Sequence, residues 1–242
     1  MVLRQIGIAF LAALGAGVVT GLAARLAMKI SALASPSELV RVTSNGNIVG
    51  DLTVEGTLAL VVFAGVGPGV VAGGLYAAVR PWLARVGRWD GLAFGFALLL
   101  MSGSAVMEPN NADFRRFGPP ALNVVVFAAL FIVLGLSLAA LWRAASRLPA
   151  LLIAIAGWAG TMAIGGAMML LGVSAVLTFV DRSEERLGDS ALGVGLIVLT
   201  TVIALLLRRL TGVSRASLAA LAVPVLVGGV ATVRAVALIL SR

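Results

Sequence analysis

Apolar residues in this chain fall into long, nearly unbroken runs separated by short polar segments, rather than into the alternating or one-faced patterns of soluble elements. A helix that spans a bilayer needs about 20 mainly apolar residues. Seven stretches meet or approach that length: 5–28, 57–79, 91–107, 120–142, 150–179, 190–207 and 217–240. The third and sixth are short, and the fifth is long enough to tilt or to project beyond the hydrocarbon. The first, with Arg4 before it and Ala23 and Ala24 near its end, shares features with a signal peptide and is read as a retained anchor. The pattern predicts an all-α fold, a polytopic transmembrane helical bundle forming one integral membrane domain over 1–242.

The polar segments carry the rest of the organisation. In 38–55, two β-rich runs flank Ser44-Asn45-Gly46-Asn47, and Asn-Gly favours the type I′ turn of a hairpin. A small extracytoplasmic β-hairpin is therefore expected between the first two spans, with Val42 opposite Val49 and Leu39 opposite Leu52. The segment Glu108–Pro120 mixes turn formers with Phe114 and Phe117, spaced to sit at headgroup level. The segment Asp181–Asp189 reads as a short amphiphilic linker without calcium-loop spacing.

Composition agrees with the pattern and removes alternatives. The chain is 61% hydrophobic and only 12% charged, and its mean hydropathy is +1.12. A soluble domain is about half apolar and a quarter charged, so a soluble enzyme, a secreted scaffold and a disordered tail are excluded. Zero cysteine and zero histidine rule out disulfides, thiolate and histidine catalysis, and the usual zinc and haem ligation. No catalytic, cofactor or metal site is expected.

The formal charge is +8, which in so apolar a chain points to orientation and anionic lipid rather than to nucleic acid. One set of span ends holds nine cations, namely Arg4, Arg80, Arg85, Arg88, Arg143, Arg147, Arg208, Arg209 and Arg215, with Asp90 as the only acid. The opposite ends hold every other acid, together with further cations. The positive-inside rule then sets the N-terminus in the cytoplasm and, for seven spans, the C-terminus outside.

Inside the spans two features stand out. Small residues recur every fourth position, the spacing that lets helices approach closely in lipid. The first helix has Ala9, Ala13, Gly17 and Gly21. The second has Gly65, Gly69, Gly73 and Ala77, with Pro68 among them, and shorter versions occur at Gly157, Thr161 and Gly165 and at Gly228 and Thr232 after Pro224. Gly17, Gly21, Gly65, Gly69 and Gly73 are the candidate helix-packing positions. The second feature is an absence of Asp, Glu and Lys at mid-depth, which argues against a retinal protein, an intramembrane aspartyl protease and a proton relay. Near the outer face, Arg25, Lys29, Glu55, Glu108, Asp113 and Arg115 lie at similar depth and form a candidate polar cluster, with ion pairing as its simplest use.

The stretch from Thr57 through Arg80-Pro81-Trp82-Leu83 to Asn110, Asp113-Phe114 and Phe117-Gly118-Pro119-Pro120 resembles a group of multi-pass membrane proteins of high-GC, actinobacteria-like bacteria. In that group a Gly-rich second span, an arginine-rich turn and an Asn/Asp-Phe…Gly-Pro-Pro outer loop recur. The likeness covers residues 1–140 and implies a bacterial plasma membrane, without an activity to carry over.

Two functions follow as expectations. The first is a non-catalytic accessory or structural subunit, packing on a larger membrane complex or on itself, with lipid headgroups at the cytoplasmic arginines. In that case Gly69→Leu or Gly73→Leu destroys assembly. The second is a channel or facilitator for a small solute or lipid, which would use the backbone carbonyls freed at Pro68 and Pro224. In that case changes at Pro68 or Thr232 alter flux.

Overall fold

The computed structural model describes residues 2–35, 53–107, 118–180, 188–210 and 213–241. They form α1 (Val2–Leu33), α2 (Val54–Ala59), a π-helical stretch Leu60–Val66, α3 (Gly67–Leu83), a 3-10 segment Ala84–Trp89, α4 (Asp90–Val106), α5 (Pro120–Ala145), α6 (Ala150–Val180), α7 (Gly188–Leu210) and α8 (Arg215–Leu240). Six helical runs among these residues are long and apolar enough to cross a membrane. Among the described residues the fold is thus all-helical, and the chain is membrane-embedded.

Seven spans were expected, and six runs meet the length and composition of one. The difference lies in Val54–Val106, a single helical run of 53 residues. It is interrupted at Gly87, whose φ of 62° and ψ of −125° no helix contains. The chain turns back there. Tyr76 and Phe94, which would lie about 27 Å apart on a straight helix, have ring centroids separated by 5.0 Å.

The expected hairpin over 38–55 is not supported. The described residues contain no strand, and 36–52 lie outside them. Val54 and Glu55 already belong to α2. The reason is local: Thr53 is a helix N-cap, its hydroxyl accepting the Gly56 N–H at 3.1 Å, and an N-cap commits the next residues to helix.

The π-helical stretch has a local cause too. Pro68 has no N–H, so the carbonyl four residues back, that of Ala64, cannot be paired in the ordinary way. The ladder widens instead, and the Gly67 N–H reaches Val62 O, five residues back.

Two helices act as hubs. α1 packs on the π-helical stretch and α3, on α5 and on α6, while α4 packs on α5, α7 and α8. The core between them holds Leu75, Tyr76, Phe94, Leu98, Leu138 and Trp142.

Candidate functional site

The small-residue positions expected on α1 and the second span meet face to face. A Cβ added to Gly17 would lie 2.7 Å from Val66 Cα and 2.8 Å from Gly65 O. One on Gly21 would lie 2.5 Å from Val61 Cα, one on Gly69 2.8 Å from Ala13 O, and one on Gly73 2.6 Å from Ala13 Cβ. A Cβ on Gly65 would run into the Gly17 carbonyl. All five glycines therefore serve one contact within the chain, in which backbone lies against backbone. A second such contact escaped the sequence reading. Gly91 and Gly95 of α4 face Gly135 of α5, where a Cβ on Gly95 would lie 2.6 Å from Phe131 O and one on Gly91 2.8 Å from Gly135 O. The four-residue spacing of Gly91 and Gly95 is the signal that could have found it.

The outer polar cluster is joined only in part. The Arg25 guanidinium lies at the start of α2, where a Cβ on Gly56 would be 3.3 Å from its Nη2. Glu55 beside it is exposed, and Lys29 is half-buried. Glu108, Asp113 and Arg115 lie outside the described residues.

The opposite end of the bundle is the better-built polar region. Arg4 donates to Ser146 O at 3.2 Å, Arg208 to Gln5 Oε1 at 3.2 Å and Arg85 to Val213 O at 2.8 Å. These three bonds gather the start of α1, the turn before α4, the α5–α6 turn and the α7–α8 connection at one end. Arg4, Arg85 and Arg208, three of the cations grouped by the charge pattern, thus share one region of the molecule.

At the centre of this end stands Asp90. Its Oδ2 accepts the Tyr76 hydroxyl at 2.9 Å, its Oδ1 accepts the Gly91 N–H at 2.8 Å, and Arg143 Nη1 lies 3.2 Å away. Position and charge agree here, because a carboxylate in the first turn of α4 is favoured by the helix dipole. Tyr76 is fully buried, with Phe94 and Trp142 both edge-on to its ring. Arg80 covers the Trp142 ring at 5.0 Å. The sequence held a hint of this network, one acid among nine cations and the chain's single tyrosine, but no spacing rule links residues 76, 90 and 143.

Next to this network is a cavity of about 240 Å³ between α3, α4, α7 and α8. Its walls include Leu75, Trp82, Phe94, Ala97, Thr200 and Leu221. The lining is apolar, since the Thr200 hydroxyl is turned to Leu196 O at 2.6 Å. One wall is pinned. The Trp82 indole N–H donates to Ser217 Oγ at 2.9 Å, and Ser217 forms a capping box with Ser214 at the start of α8.

The residues expected to serve transport are placed elsewhere. Pro68 is exposed on the outer surface of the bundle. Thr232 of α8 is buried against α4, donating to Leu100 O at 2.9 Å and accepting the Ser104 N–H at 3.1 Å. Its hydroxyl therefore sits within the helical ladder of α4 between a residue and its fourth neighbour. Pro224 is fully buried. Among the described residues, no group of three or more acidic side chains is placed to hold a metal ion.

Comparison of the chain with protein-family models, curated proteins and solved structures yields no match.

Proposed function

We propose that this chain is a non-catalytic structural or accessory subunit of a bacterial plasma membrane, packing on a larger membrane complex or on itself. The observation that carries this reading is the use of Thr232. The hydroxyl a transport pathway would need is bonded to two backbone groups of α4, so it is spent on holding helices together. The outward position of Pro68 supports the same reading.

Seven crossings belong to this proposal, with Val54–Val106 folding back at Gly87 into two of them. The N-terminus is then cytoplasmic and the C-terminus extracytoplasmic, and the gathered arginines face anionic headgroups.

Native mass spectrometry after gentle extraction from the protein's own membrane tests the reading. A stoichiometric complex with other chains, or a defined homo-oligomer, is the expected result. A monomer that conducts ions or small solutes in liposomes overturns it.

The apolar cavity favours a second reading, a facilitator that handles lipid. That reading requires lipid transfer between leaflets in liposomes, and Thr232→Val should leave the transfer rate unchanged because the hydroxyl does not line the cavity.

A further inference from the structure

We infer that the cavity between α3, α4, α7 and α8 is a binding site for one acyl chain of an anionic phospholipid, whose phosphate is held by Arg85. The inference rests on the placement of the basic end at a headgroup layer, proposed above.

Three observations lead to it. The first is depth. The cavity follows α8 from Leu218 to Leu226, about 12 Å along the helix axis. The hydrocarbon core is about 30 Å thick, so the cavity reaches through most of one leaflet and stops short of the other. That is the span of a single chain entering from the basic side.

The second is chemistry. The lining is apolar, and the one hydroxyl present is already bonded to its own helix. Water has no partners there, and a polar solute would lose its hydrogen bonds on entry. A hydrocarbon chain loses nothing.

The third is charge at the mouth. Arg85 is exposed and reaches across to Val213 O, five residues before Leu218 in the cavity wall. A guanidinium carries five donors in a fork that suits phosphate, and the bond to Val213 uses one of its nitrogens. The nearest acid by sequence, Asp90, is engaged by Tyr76 and Arg143. The mouth therefore selects for a negative headgroup. The Trp82–Ser217 bond ties α3 to α8 at this end of the cavity.

The full-length protein, stripped of lipid in detergent and titrated with phosphatidylglycerol or phosphatidylcholine of identical chains, provides the test by native mass spectrometry. One phosphatidylglycerol should be retained in preference to phosphatidylcholine. Arg85→Gln should lower that preference about fivefold, the effect of one surface cation on an anionic lipid, without abolishing occupancy. Ala222→Phe and Ala97→Phe, which fill the cavity from two different helices, should each lower retention of both lipids at least about tenfold. Equal retention of the two lipids by the unaltered protein overturns the inference, and needs no variant to fold. So does undiminished retention in either cavity-filling variant. The accessory-subunit reading fails or stands separately, on the complexes found in the native membrane.

Discussion

At the scale of single residues, the interactions of Asp90 differ in worth although their lengths are similar. The Tyr76 hydroxyl is buried and donates to a carboxylate, and such a bond contributes about 1.5–3 kcal/mol. The Arg143 side chain is 54% exposed, and an exposed pair contributes about 0–1 kcal/mol. Tyr76→Phe is therefore expected to destabilise by about 1.5 kcal/mol, and Arg143→Gln by less than about 1 kcal/mol. Denaturant titration in mixed micelles measures both, and the reverse order would show that the ion pair, not the phenol, holds Asp90. Neither partner was legible in the sequence. Tyr76 and Asp90 are brought together by a chain reversal, and Arg143 comes from another helix, so no local pattern records their meeting.

At the scale of elements, the apolar runs placed the long helices because length and hydropathy are local properties. The expected span 150–179 is α6 to within a residue, and 217–240 lies within α8. The spacing of small residues marked which faces of α1 and α3 approach, since a close backbone contact needs a missing Cβ whatever the partner. It did not mark the partner, so the Gly91–Gly95 contact with Gly135 and the widened turn before Pro68 went unread. The close contact at Gly69 and the widened turn before Pro68, neighbours in one helical run, should respond very differently to substitution. Gly69→Leu puts a side chain where a Cβ already meets the Ala13 carbonyl, and should cost about 3 kcal/mol or more. Pro68→Ala, on the exposed side and next to Gly67 with its displaced N–H bond, should change stability by less than about 1 kcal/mol. Folded yield in detergent distinguishes them. The contact of Gly69 lies within one chain, so its loss removes the fold itself and not merely an assembly.

At the scale of the whole molecule, the proposed seven crossings depend on the reversal at Gly87. With seven crossings, Arg147 lies on the same side as the N-terminus, as the Arg4–Ser146 bond requires, and Ser241 lies on the other. A chain free of cysteine is ready for the measurement. Single cysteines at Val2, Arg147 and Ser241 should label with an impermeant maleimide so that the first two share a side and the third opposes them. Labelling of Arg147→Cys and Ser241→Cys from one side would reject the seven-crossing arrangement. The charge pattern anticipated the common basic end because it sums over many residues, whereas the cavity beside it depends on how four helices splay, which no single segment encodes.

The central position of α1 has a consequence for synthesis. The helix is made before one of its main neighbours, α5, which ends at Ala145, 112 residues after Leu33. At about 5–20 residues per second, translation leaves the α5-facing side of α1 without that neighbour for roughly 6–22 seconds. During this interval the nascent chain displays in lipid a surface shaped for protein, open to premature pairing and to membrane quality control. Lesions on that face are therefore expected to appear in the cell as missing protein, degraded before the bundle closes, rather than as an assembled protein with altered function.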